Sequence, residues 1–239
     1  MSSEYDKETA FHYASYRPPL HEVVLKKCLK GQKFKKTLDI GCGTGVSSIA
    51  LCPYSNSIIG LEPNETMLKE AISHPFITYQ IGNAELIPYP KASFDLVTLA
   101  GVLYYAKSQN LINEISRVIK NSGIVLIYDF DVLYRSYLEE ITAGATKVQP
   151  LKYNHQVDFS GLNLMGLKRE KSVIEETIFS LNPEELGHIM LASKIDFETL
   201  TNCFGSQRTH KRVNKKIESR YGREIRLAAN LYYSIYSKI

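Results

Sequence analysis

Cysteine is scarce and scattered. The four are Cys28, Cys42, Cys52 and Cys203. No two have C-x-x-C spacing and none sits beside a histidine in a metal-binding pattern, which argues against a disulfide framework or a zinc finger, so no metal is expected. Reduced thiols in a cytoplasmic protein are the expectation. No apolar run approaches the roughly 20 residues needed to span a bilayer, so no membrane association is expected. Residues 1–9 are polar and charged, unlike a secretory leader, and are expected to fray. Repeats and low-complexity linkers are missing too. Neither sign of charge dominates: 29 Lys and Arg stand against 25 Asp and Glu, a net +4. That permits an anionic partner without demanding one. What remains is a chain of 239 residues, 44% hydrophobic, long enough for one sizeable α/β core carrying a smaller insertion.

The chain is organised around Thr37-Leu38-Asp39-Ile40-Gly41-Cys42-Gly43-Thr44-Gly45. A short buried strand runs into three glycines spaced G-x-G-x-G, and a helix start follows at Val46. Strand, glycine turn, helix is a nucleotide-type binding unit. Glycine reaches backbone angles closed to other residues and lets a ligand approach the main chain. An ordinary tight turn is the plainer alternative. A second strand, Ser57 to Glu62, ends on an acid. A carboxylate there has two acceptor oxygens for two ribose hydroxyls. Pro63-Asn64-Glu65-Thr66-Met67 opens the next helix, with Asn64 as N-cap. A third strand, Phe76 to Ile81, leads into Gly82-Asn83-Ala84-Glu85-Leu86-Ile87-Pro88-Tyr89-Pro90. A fourth is Ser93-Phe94-Asp95-Leu96-Val97-Thr98-Leu99-Ala100, followed by Gly101-Val102-Leu103-Tyr104-Tyr105. In open α/β sheets ligands sit at this carboxyl edge.

These segments resemble the class I S-adenosylmethionine-dependent methyltransferases, in their small-molecule (type 11-like) group. Leu38-Asp39 and the glycines are similar to that family's motif I, L-D-x-G-x-G-x-G. The 82–90 stretch is similar to G-D-A-E-x-L-P-F-P, and Phe94 to Val97 to F-D-L-V. Tyr13 and Tyr16-Arg17-Pro18 resemble the family's Y-x-x-Y-R-P entry. The resemblance covers residues 36–130 and implies S-adenosyl-L-methionine as cofactor. It implies Gly41, Cys42, Gly43 and Gly45 against the cofactor's amino-acid end, with Asp39 orienting its ammonium directly or through water. Glu62 is implied at the ribose, Pro63 beside the cofactor, and Met67 near the adenine, with core filling the alternative for Met67. Asn83, Ala84 and Glu85 are implied at the adenine, and Ala100 and Gly101 at the strand edge. Tyr13 and Arg17 lie over the ligand on this reading, Arg17 pairing the cofactor's carboxylate. Two departures stand out. Asn83 replaces the family's acid, and Leu103-Tyr104-Tyr105 lacks the histidine of L-x-H, so no catalytic residue carries over. Tyr104, Tyr105 and His155 are candidates for lining the substrate site.

The expected fold is a Rossmann-like, doubly wound, seven-stranded sheet in three α/β/α layers. It is mostly parallel, with an antiparallel last strand and an inserted substrate cover. Residues 36–130 form the cofactor-binding core of a single domain, 131–171 the cover, and 172–239 the C-terminal strands and helices. A fifth strand is expected at Ile124 to Asp129 after an Asn121-Ser122-Gly123 turn. Asn182-Pro183-Glu184-Glu185 reads as a helix start, and Asp196 as the cap of another. Arg208, Lys211, Arg212, Lys215, Lys216 and Arg220 flank a stripe of Val213, Ile217 and Tyr221. That is a solvated basic face or a nucleic-acid footprint. The expected function is direct methyl transfer to a small molecule by a monomer or homodimer. The alternatives are a tRNA-modifying methyltransferase and a nicotinamide-dependent oxidoreductase.

Overall fold

A computed structural model describes residues 9, 11–12, 15–144 and 153–239. In chain order the elements are α1 (Leu20–Leu29), β1 (Thr37–Ile40), α2 (Val46–Leu51), β2 (Ile58–Glu62), α3 (Glu65–Lys69), β3 (Ile77–Ile81), β4 (Phe94–Ala100), α4 (Leu103–Ala106), α5 (Gln109–Val118), β5 (Ile119–Val132), α6 (Arg135–Ile141), β6 (Leu167–Leu181), α7 (Pro183–Leu191), α8 (Lys194–Phe204), α9 (Thr209–Tyr221) and β7 (Ile225–Lys238). One seven-stranded sheet runs β3-β2-β1-β4-β5-β7-β6, and its last strands are antiparallel. The β1–β2, β1–β4, β2–β3 and β4–β5 pairs are parallel. Parallel strands covered on both faces need continuous apolar side chains. Every residue of β1 and β2 is buried. The fold is thus the Rossmann-like α/β sheet that the sequence predicts.

Contacts divide the chain into two compact units. The larger comprises Pro19–Phe130, Tyr153–Glu175 and Leu231–Ile239. Its core joins Leu38, Ile40, Phe94, Val97 and Leu99 to Leu111, Ile112, Ile115 and Val118 of α5 and to Phe159 and Tyr236. Ser108 caps α5 by accepting from Leu111 N–H at 3.1 Å, so the i, i+3, i+4 apolar stripe starts in register with the sheet. The fifth strand starts at Ile119, not at Ile124. The Asn121-Ser122-Gly123 turn is instead a bulge within it. Pairing jumps from Phe94↔Ile119 to Leu96↔Ile124, with Ser122 at φ 61°. One strand spends extra residues there, which the partner strand does not match.

The smaller unit comprises Met1–Pro18, Asp131–Lys152 and Glu176–Asn230. The 131–171 stretch, expected as one cover, therefore divides between the units. It also carries α6 and the start of β6. The apolar faces of α6, α7, α8 and α9 converge on Leu138, Leu186, Met190, Leu200, Val213 and Ile217. Asn182 caps α7 in a capping box with Glu185. Asp196 is not a cap. Ser193 holds that position, and Asp196 sits in the first turn of α8, 2% exposed. Its carboxylate accepts from Tyr134 Oη at 2.6 Å and from Arg135 Nη1 at 2.8 Å. Burial and Asp196 push the Tyr134 phenol well above its ordinary range, so it donates. His12, His188 and His210 also meet in this unit. Burial, then His210 and His188, hold His12 down to about 4, and burial first also lowers His188.

Each hydrogen bond to a buried charge contributes about 1.5–3 kcal/mol. Asp196→Ala is expected to destabilise the helical unit by about 3 kcal/mol and Tyr134→Phe by about 1.5 kcal/mol. Urea unfolding followed by circular dichroism checks both. Equal stability of wild type and Asp196→Ala would refute the assignment.

Candidate functional site

The larger unit builds its site on a buried acid. Asp39 is fully buried in β1. Its Oδ2 accepts from Ser47 Oγ at 2.6 Å and Ser48 Oγ at 2.7 Å, both in the first turn of α2. Its Oδ1 accepts from Thr98 Oγ1 of β4 at 2.7 Å. Burial raises its pKa against the lowering effect of these three hydroxyls. Three hydroxyl donors thus hold the carboxylate beneath the loop, where solvent does not reach it. Any part Asp39 takes in binding runs through the loop geometry above it.

That loop turns from β1 into α2 with Gly41, Gly43 and Gly45 at φ 68°, 55° and 85°. Larger residues are strained at these angles, and there is no room for them. A Cβ on Gly41 would strike the Val102 side chain, and one on Gly45 would strike the Tyr79 ring. Tyr79 also covers Gly60, and its hydroxyl donates to Ile72 O at 2.9 Å. Nothing in the sequence singled it out. Cys42 is buried, and burial first, then Asp39 and Glu62, drive its thiol upward. It offers main chain, not a nucleophile.

Glu62 closes β2 directly under this loop and is 7% exposed. Oε2 accepts from Gly43 N–H at 3.1 Å and Oε1 from Asn64 N–H at 3.0 Å. Each oxygen keeps a lone pair for a further donor. Asn64 also caps α3, accepting from Thr66 N–H at 2.9 Å. That sets Pro63 at the surface and Met67 half-buried, its Cε 3.1 Å from where a Gly43 Cβ would stand. Asn83 is exposed, and its Oδ1 already accepts from Glu85 N–H at 2.9 Å. Ala84 packs against the core and Glu85 is exposed.

At the carboxyl edge, Ala100 pairs with Tyr128, and Gly101 N–H donates to Tyr128 O at 2.9 Å. A cavity of about 290 Å³ opens here, lined among others by Gly101, Val102, Tyr104, Asp129, His155 and Tyr232. Asp129 is its hub. Oδ1 accepts from Phe130 N–H at 2.8 Å, while Tyr153 Oη lies 2.9 Å and His155 Nδ1 3.3 Å from Oδ2. His155 stacks on Tyr232 with ring centroids 5.6 Å apart at 12°. Tyr153 lies against Tyr104 at 4.5 Å and His155 at 4.6 Å. Tyr104 and His155 therefore share one wall, whereas Tyr105 is 72% exposed and lies against Tyr104 and Tyr153. Asp129, Tyr153 and Tyr232 were not singled out. An acid ending the strand expected at Ile124 to Asp129, as Glu62 ends the second, was the available signal for the first of them. Arg17 is half-buried in the smaller unit. Tyr13 lies outside the described residues.

Residues 38–127 match the family model described as a methyltransferase domain. An uncharacterised methyltransferase of Bacillus subtilis, YcgJ, is 31% identical over 101 residues, 39% of this chain and 40% of its own. The ubiquinone/menaquinone biosynthesis C-methyltransferase UbiE of Geobacter sulfurreducens is 30% identical over 115 residues, 44% of this chain and 45% of its own. A solved structure from Anaeromyxobacter dehalogenans, provisionally assigned as a type II methyltransferase, superposes with a TM-score of 0.66. It covers 92% of this chain and 97% of that one at 15% identity, a likeness of fold. The matches to the first four curated relatives span about half of their length, 40% to 54%. Loop, strand order and sequence agree in giving residues 38–127 a methyltransferase domain.

Proposed function

We propose that the protein transfers a methyl group from S-adenosylmethionine to a small-molecule nucleophile. The observation that carries this reading is the aromatic and polar cavity beside Gly101 and Val102, a volume of about 290 Å³ suited to a small acceptor. The cofactor fits the residues beside it. Glu62 has two tethered oxygens with lone pairs to spare, matching two ribose hydroxyls. The main chain of 41–45, set by Asp39 below, suits the amino-acid end. Met67 and Pro63 would flank the adenine, with Ala84 N–H and the remaining lone pair of Asn83 available to hold its edge. When bound, the cofactor supplies a methyl carbon made electrophilic by its sulfonium.

The protein's own contribution is orientation and exclusion of water, which can lower a barrier by roughly 7–11 kcal/mol. Tyr104, Tyr153 and Tyr232 supply flat walls for an acceptor. His155 is the group suited to take a proton from it. Asp129 faces Nδ1, which leaves Nε2 as the basic nitrogen once Nδ1 carries the hydrogen.

The nucleic-acid alternative rests on the basic side of α9. Arg212 donates to Phe204 O, and Arg220 pairs with Glu140 at 2.7 Å, so two of its six cations serve the fold of the smaller unit. Weak RNA binding without a steep salt dependence would support the small-molecule reading.

Glu62→Ala is expected to weaken S-adenosylhomocysteine binding about tenfold or more by calorimetry, through lost charged hydrogen bonds. Unchanged affinity would remove Glu62 from the ribose. Acceptors are found by transfer of labelled methyl groups into panels of phenols, amines, thiols and carboxylic acids. With the best of these, His155→Gln is expected to lower kcat by about 10²–10⁴ while S-adenosylhomocysteine affinity holds within about twofold. A kcat within a factor of three of wild type would make His155 a wall residue only.

A further inference from the structure

The smaller unit holds a cluster that methyl transfer does not use. His12 in the N-terminal segment, His188 in α7 and His210 in α9 bring their imidazoles together, and one ligand nitrogen from each lies within 4.8 Å of the others. The ring centroids form a near-regular triangle with sides of 5.0, 5.0 and 4.1 Å. His12 is 6% and His188 8% exposed, and His210 is half-buried. We propose that these three side chains form a binding site for one divalent transition-metal ion, Zn²⁺ by the chemistry of the donors.

Three observations support this. First, the spacing is right. Metal–nitrogen bonds of about 2.0–2.1 Å at tetrahedral angles put ligand nitrogens about 3.3 Å apart. The His12 and His188 Nδ1 atoms are 2.9 Å apart, and small ring rotations bring the third nitrogen in. Second, the donor set is uniform. Neutral imidazoles suit zinc and its neighbours, while magnesium and calcium prefer oxygen. Third, the outer support exists. With Asn214 oriented so that its Nδ2 donates to Pro183 O and His210 O, its Oδ1 accepts from His210 Nε2 at 3.1 Å. That fixes the hydrogen on Nε2 and leaves the His210 Nδ1 lone pair for a metal. A ligating histidine is typically oriented this way. Packing alone accounts for the one His12–His188 hydrogen bond but gives no reason for Asn214 to set the tautomer of the third ring.

Among the described residues no fourth metal-binding side chain joins the three. A water or a small anion completes the shell. The ion clips the N-terminal segment onto α7 and α9, whose histidines lie more than 170 residues away in the chain. Its effect is structural, and it stands whether or not the reading of the larger unit is right.

The test uses full-length protein without a histidine tag, dialysed against chelator and then titrated with Co²⁺ and Zn²⁺. We expect one ion per chain, a Kd below about 1 μM, visible absorption of tetrahedral Co²⁺ that Zn²⁺ displaces, and a melting midpoint raised by about 5 °C at a hundredfold excess over Kd. His188→Gln and His210→Gln should each weaken binding at least a hundredfold. Asn214→Ala keeps all three imidazoles and should weaken it about 10–100-fold. It decides the matter if a histidine variant does not fold. Absence of saturable binding, or equal affinity in wild type, His210→Gln and Asn214→Ala, would overturn the site.

Discussion

The glycine-loop architecture depends on one buried carboxylate. Asp39 lies in a strand with no exposed surface, where a charge is expensive unless it is fully hydrogen-bonded. It recruits hydroxyls from two elements: Ser47 and Ser48 in α2, and Thr98 in β4. Those bonds fix how far α2 starts from the end of β1. The chain must reverse between them in five residues, and positive φ at Gly41, Gly43 and Gly45 is what allows it. The glycines are thus a consequence of the acid as much as a provision for a ligand. A main chain with no side chains facing outward results from satisfying a charge that faces inward.

Glu62 extends the same logic one strand outward. Because β1 and β2 are parallel and in register, with Ile40 opposite Leu61, the end of β2 arrives beside the loop. The carboxylate there accepts from the loop's own Gly43 N–H and from Asn64 at the start of α3. Its orientation is therefore set before any ligand arrives, which reduces the ordering cost of binding. Asp129 repeats the arrangement at the end of the fifth strand's buried stretch. There it gathers Tyr153 and His155 as well as the Phe130 N–H. The acids of β1, β2 and β5 thus differ in role because they differ in burial and in the donors supplied to them.

This gradation explains what was legible from residues alone. Glycine spacing, Leu38-Asp39, Glu62 and the buried strands are local signals, each carried by a few consecutive residues, and they led to the right sheet. The misreadings arose where long-range contacts override local preference. Asp196 has the chemistry of a cap, yet Tyr134 and Arg135 draw it into the helix's first turn. Asn121-Ser122-Gly123 has the chemistry of a turn, yet pairing with β4 absorbs it as a bulge. Tyr79 was invisible because its importance lies in which glycines it covers, not in its neighbours in the chain.

The histidine cluster sets the limit of local reading most sharply. A metal pattern is recognised when its ligands sit a few residues apart on one turn or helix. Here the three imidazoles come from an N-terminal segment and two helices, and the intervals between them hide any motif. What brings them together is the apolar packing of α7, α8 and α9 around Leu186, Leu200 and Val213. That packing sets the faces opposite the core as well as the core itself. Once α7 and α9 are locked, His188 and His210 stand with ring centroids 4.1 Å apart, and whatever meets them must be compatible with two desolvated imidazoles. A third imidazole, His12, meets that requirement for one of them through the hydrogen bond between its Nδ1 and His188 Nδ1. A metal ion does so for all three at once, whereas one shared proton joins only two.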